Sequence, residues 1–134
     1  MEFRRIYVEK KGAFALKARE LQEELQAYLH LENIRDVRIL VRYDIANLSD
    51  ALYSQSLNTI FSEPPLDILY EENFPREPED FIFTVEYLPG QFDQRADSAR
   101  QCLSLLGAGE EVQVYSALTH VISGDLSREG QEKI

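Results

Sequence analysis

The chain has 134 residues, 44% of them hydrophobic and 28% charged, with a formal net charge of −10. That is the size and composition of one globular domain with a buried core, not of a disordered tail. The acidic excess argues against binding nucleic acid or an anionic membrane, since both need a basic surface. No apolar run approaches the ~20 residues that span a bilayer.

The N-terminal Met1-Glu2-Phe3-Arg4-Arg5 lacks the apolar stretch of a secretory leader, and the single Cys102 fits a reducing cytoplasm. The run Arg4 to Lys10 places Ile6 and Val8 alternately with Tyr7 and Glu9, the period of a strand. Gly12 breaks it. A helix is predicted from about Phe14 to Leu29, with Leu21, Leu25 and Tyr28 on one apolar face. Val37, Ile39, Val41 and Tyr43 then alternate with Arg38, Leu40 and Arg42, which predicts a strand whose second face is only partly buried. Ser49 is placed to cap a second helix reaching about Phe61, and Ser62-Glu63-Pro64-Pro65 ends it. Leu66 to Tyr70 predicts a short strand, and the acidic, proline-containing Glu71 to Asp80 a connector.

The pattern then restarts. Phe81, Phe83, Val85 and Tyr87 alternate as a strand, Pro89-Gly90 turns the chain, and Asp93 to Leu106 is helical, with Ala96, Ala99, Leu103 and Leu106 on one face. Gly107 stands where a helix-terminating glycine belongs. Val112 to Ile122 predicts a long strand, and Ser127 the start of a last helix cut short by the chain end. The halves superpose with small gaps: Val8-Glu9 on Val85-Glu86, Gly12 near Gly90, Phe14 on Phe92, Ala18 on Ala96, Leu25 on Leu103, Tyr28 on Leu106, Val37 and Ile39 on Val112 and Val114, Leu48-Ser49 on Leu126-Ser127. The expected fold is α+β: two tandem βαβ-type repeats forming a pseudo-dimer, with helices on one face. One unit alone would leave its sheet bare, and two can cover each other. The divisions are residues 1–72, a connector 73–80, and 81–134 with its last helix truncated.

No specific catalytic constellation is present. His30, His120 and Cys102 are too dispersed for a metal site, and no P-loop, dinucleotide fingerprint or nucleophile elbow occurs. Cys102 reads as a small buried residue and His120 as a packed or edge histidine. The densest polar cluster is the turn after Pro89. Its Gly90 supplies positive φ, Asp93 caps the next helix, Asp97 pairs with Arg95 or Arg100, and Gln91, Gln94 and Arg95 face a partner surface. The corresponding turn in the first half, Lys10-Lys11-Gly12-Ala13, keeps the glycine without the aspartate cap.

Four blocks carry a family resemblance: Arg4 to Lys11, Val37 to Asp44, Phe61 to Pro65, and Val85 to Cys102. Together they resemble the N-terminal region of long-form phosphoribosylformylglycinamidine synthase. That enzyme is similar to a fusion of a PurS-like module, an ATP-dependent synthetase and a glutaminase. The resemblance implies a duplicated PurS-like scaffold, itself non-catalytic, that bridges the other two parts during glutamine-dependent amidation of formylglycinamide ribonucleotide and helps enclose ammonia. It places ATP and Mg in the parent enzyme and none in this segment. It implies a cytoplasmic setting, the synthetase and glutaminase domains as partners, a possible homodimer of the isolated segment, and a helix continuing beyond Ile134. An ACT-like domain that binds a small molecule beside Gly12 or Gly90 is the alternative reading.

Overall fold

The structure, a computed structural model, describes residues 3–27, 30–31, 33–124 and 128–134. The predicted Tyr28 and Leu29 of the first helix, and the Leu126-Ser127 match, lie outside these residues. The elements are β1 (Phe3–Lys10), a 3-10 turn (Gly12–Phe14), α1 (Leu16–Ala27), β2 (Ile34–Ala46), α2 (Asp50–Ser56), β3 (Asp67–Glu71), β4 (Phe81–Glu86), α3 (Gln94–Leu105), β5 (Gln113–Gly124) and α4 (Arg128–Lys133). The strands form one antiparallel sheet in the order β3-β1-β2-β5-β4. No described helix is long and apolar enough to cross a membrane.

Each half contributes an antiparallel pair with a helix between its strands, the first half adds β3 outside β1, and the halves meet where β2 lies antiparallel to β5. The expectation that two units cover each other's sheet faces is therefore corrected: they join edge to edge. Both central strands are long and rich in β-branched residues, so extending one ladder satisfies backbone groups that two separate sheets would leave at open edges.

Because side chains alternate along each strand, this register sends Ile6, Val8, Val37, Ile45, Val114 and Ile122 to one face. All three longer helical segments pack there. Ala18 and Leu25 of α1 cover Ile34, Val37 and Ile122. Tyr53 of α2, with Ala96, Ala99 and Leu103 of α3, covers Ile6, Val8, Ile45 and Val114. The matched pairs Ala18/Ala96 and Leu25/Leu103 are all buried. The α3 helix ends in a Schellman motif: Gly107, at φ +103°, donates to Ser104 O at 3.0 Å, and Ala108 N donates to Leu103 O at 3.0 Å.

The ladders revise the superposition of the halves. Val8 pairs with Val41, and Val85 pairs with Leu118. Strand on strand, Val41 then corresponds to Leu118, whereas matching Val37 to Val112 would put Val41 on Ser116. The offset of two residues keeps every side chain on its face, so an alternation pattern cannot detect it.

Two further expectations change. The second helix stops at Ser56, not near Phe61, because the Ser56 carbonyl accepts from the amides of Thr59, Ile60 and Phe61 at 2.9–3.3 Å and tightens the chain into turns. Ser49 does cap it, accepting from Leu52 N at 3.3 Å. The connector is more than a tether: Phe74 is buried against Tyr7, Leu40 and Val121 on the sheet face opposite the helices.

That second face is held by charge. Arg38 donates through Nε and Nη2 to Glu9 at 2.7 and 2.8 Å, and through Nη1 to the Pro75 carbonyl at 2.6 Å. Tyr70 adds a hydrogen bond to Glu9 at 3.2 Å. Arg5 makes two bonds to Asp44, at 2.7 and 3.3 Å. The Arg38 and Glu9 side chains are only 20% and 14% exposed, so removing one strands the other in a poorly solvated place. Glu9→Ala is expected to cost about 2 kcal/mol in urea denaturation, and Glu9→Ala/Arg38→Met less than the sum of the single changes, with a coupling of roughly 1 kcal/mol.

Candidate functional site

The turn after β4 forms as its sequence demands. Pro89 and Gly90 occupy the central positions, Gly90 has φ +89°, and Gln91 N donates to Leu88 O at 3.0 Å, as in a type II turn. The Gln91 side chain bends back to accept from Leu88 N at 2.6 Å, so it closes its own turn.

Asp93 does two jobs. Its Oδ1 accepts from Ala96 N at 3.0 Å and caps α3. The same carboxylate reaches β5, where Ser116 N donates to Oδ2 at 2.7 Å and Ser116 Oγ to Oδ1 at 2.6 Å. The β4 ladder ends at Glu86 opposite Ala117, so Asp93 takes the place that a longer β4 would fill beside Ser116. Asp97 accepts from Arg100 at 3.0 Å and from Gln101 at 2.8 Å, which selects Arg100 over Arg95 as its partner. Lys11, before the equivalent turn of the first half, makes no side-chain cap, so the two turns differ as their sequences indicate.

The six candidate residues do not converge on one point. Gly90, Gln91, Asp93 and Asp97 border a groove of about 1090 Å³ on one side of the turn. Gln94 and Arg95 border a smaller hollow of about 470 Å³ on the other, beside Tyr43 and Cys102. Arg95 is near enough to Tyr43 to oppose the burial that raises the phenol above its ordinary pKa.

The larger groove contains what sequence reasoning missed. Phe92, Leu88, Phe3 and Tyr115 border it and are 71%, 68%, 54% and 52% exposed. Their sequence signal was present but ambiguous, because Phe3 and Tyr115 alternate like core residues within strands. The face that each occupies depends on the register. Arg5, Arg42, Asp44 and Glu86 add a charged border, with Arg42 3.4 Å from Asp44 and 3.5 Å from Glu86. An apolar patch with a charged rim is the composition of an interaction surface.

Cys102 is exposed, which corrects its reading as a buried residue: α3 turns Ala96, Ala99 and Leu103 inward, and position 102 falls off that stripe. His120 stacks on Phe83 with ring centroids 4.6 Å apart and planes 5° from parallel, and its burial lowers the imidazole pKa. Among the described residues no cluster of three or more His, Cys, Asp or Glu side chains could hold a metal.

Asp93→Ala is expected to lower stability by about 2–3 kcal/mol, because it removes a helix cap and leaves the Ser116 amide without its acceptor. Asp97→Ala, confined to exposed contacts, is expected to cost under about 1 kcal/mol by the same thermal or urea measurement. Comparison with family models, curated proteins and solved structures returns no match for this chain.

Proposed function

We propose that this chain is a PurS-like scaffold domain of a phosphoribosylformylglycinamidine synthase, non-catalytic in itself, that docks glutaminase and synthetase parts in the cytoplasm and helps enclose ammonia on its way between them. The reading rests first on the four sequence blocks. The longest of them, Val85 to Cys102, contains the turn whose flanks carry the exposed Leu88 and Phe92. That coincidence is the observation that favours a docking role.

Two further features are compatible with a duplicated PurS-like module. Each half contains an antiparallel strand pair with an intervening helix, extended in the first half by β3, and the halves are joined through their second strands. Phe14 and Phe92, matched between the halves, are both exposed just before a helix. A sealed interface has a physical purpose in such an enzyme, because free ammonia in bulk water would be protonated and lose its nucleophilicity. ATP and Mg would then serve the synthetase part.

The test is binding of the 134-residue protein to separately produced synthetase and glutaminase parts of a long-form enzyme, by titration calorimetry. A saturable complex is expected, weakened about tenfold or more, worth ~1.4 kcal/mol, by Leu88→Ser/Phe92→Ser at an unchanged thermal midpoint. Absence of binding, with glutamine-dependent amidation unaffected by deletion of the domain from the enzyme, would overturn the proposal.

A further inference from the structure

We infer that the helical face of the sheet carries a binding groove for a small amphiphilic anion, an apolar body bearing one anionic head, seated over Val41 and Leu118 with its head between Lys17 and Arg95. This goes beyond the docking reading and uses a different part of the molecule.

The floor follows from the register. Leu69, Val8, Val41, Leu118 and Val85 pair in turn across all five strands and point to the helical face. They form one aliphatic row about 19 Å long at the usual strand spacing. Helices cover this face in two separate clusters, one under α1 and one under α2 and α3. The middle pair of the row, Val41 and Leu118, belongs to neither. The most central aliphatic pair on that face therefore lacks helical cover, and a cavity of about 780 Å³ lies over it.

The borders supply the charge. Lys17 at the start of α1 and Arg95 at the start of α3 both line this cavity. Neither side chain makes a hydrogen bond or an ion pair among the described residues, although acidic side chains outnumber basic ones 24 to 14. Lys10 and Asp67, which also line it, pair at 2.9 Å, as do Arg38 and Glu9 at 2.7 Å, and Asp36 is the one acid on the border without an ion pair among the described residues. Two exposed cations against one unpaired acid leave the border net positive beside an uncovered apolar floor, which is complementary to a ligand that is apolar at one end and anionic at the other. Tyr43 lines the same cavity and adds a phenol near Arg95.

Size selects a small molecule. Ligand pockets run to about 300–1,000 Å³. Two turns of a helix, at a diameter of 10–12 Å, would occupy roughly 1,000 Å³, more than the cavity holds, whereas a small ligand is taken up whole. An inorganic anion would leave the aliphatic floor wet.

The test is a fluorescence titration of the 134-residue protein with 8-anilinonaphthalene-1-sulfonate, with decanoate, decanol and inorganic phosphate as competitors. One saturable site is expected, displaced by decanoate, at least about fivefold less well by decanol, and not by phosphate. Lys17→Gln/Arg95→Gln should weaken the sulfonate probe about tenfold while leaving the neutral N-phenyl-1-naphthylamine within about twofold. Both substitutions lie outside the core, and an unchanged thermal midpoint confirms the fold. Absence of saturable binding, equal displacement by decanol and decanoate, or an affinity unmoved by the double substitution would overturn the inference. None of these outcomes depends on whether the protein docks to synthetase or glutaminase parts.

Discussion

The β2–β5 ladder is the constraint on which everything else depends. It runs from Ile34 opposite Gly124 to Ala46 opposite Gln113, nearly the full length of both strands. At its centre Leu40, Val121 and Ile122 are fully shielded from solvent, and Thr119 nearly so. Without the ladder the second half would be a two-stranded unit of marginal stability, and the first a three-stranded one with β2 at an open edge. Joined, they leave neither central strand at an edge of the sheet. The ladder also fixes side-chain direction across the sheet, since a slip of one residue would turn every apolar residue of a half toward the opposite face.

From that constraint the two faces acquire different characters. One collects the aliphatic residues of every strand and is covered by helices in two groups, which leaves a gap over the middle pair. The other gathers Arg5, Glu9, Arg38, Arg42 and Asp44, which form ion pairs with one another although the buried Arg42 Nε finds no hydrogen-bond acceptor, and is covered locally where Phe74 folds down on Tyr7 at 4.7 Å between ring centroids. The segment between the halves is thereby tied to the sheet, with Asp80 accepting from Ser123 Oγ at 2.8 Å and Glu72 N donating to Arg5 O at 2.7 Å. Mismatched strand lengths shape the candidate interface. Since β4 stops short of the beginning of β5, Asp93 takes up the Ser116 amide that β4 does not reach, and the neighbouring apolar side chains line an open groove.

Much of this was legible in the sequence because alternation and helical periodicity are local signals. The strands around Ile6, Val41, Phe83 and Val121, the Ser49 and Asp93 caps and the Gly107 terminus all stand where residue types place them. What was hidden is non-local. Nothing in the pattern of Val37 to Tyr43 says that this strand pairs with the one around Leu118, so edge-to-edge joining was not foreseen. The two-residue register offset preserves the alternation and leaves no trace in it. Phe74 sits among acids and prolines and becomes core only because the chain crosses the sheet there. Cys102 differs from a buried position by one step of the helix. Leu88 and Phe92 look like ordinary apolar residues until the surrounding chain leaves them outside.

The central claim is that the two halves are one cooperative sheet. Native-state hydrogen exchange across a denaturant series tests it most directly. The account predicts that the amides of Leu40 and Val41 in β2 and of Thr119 and Val121 in β5 exchange only through global unfolding, with the same free energy and denaturant slope. Exchange of β4, α3 and β5 at a distinctly lower free energy and with a smaller slope than β1 and β2 would show that the second half opens independently, and would contradict it.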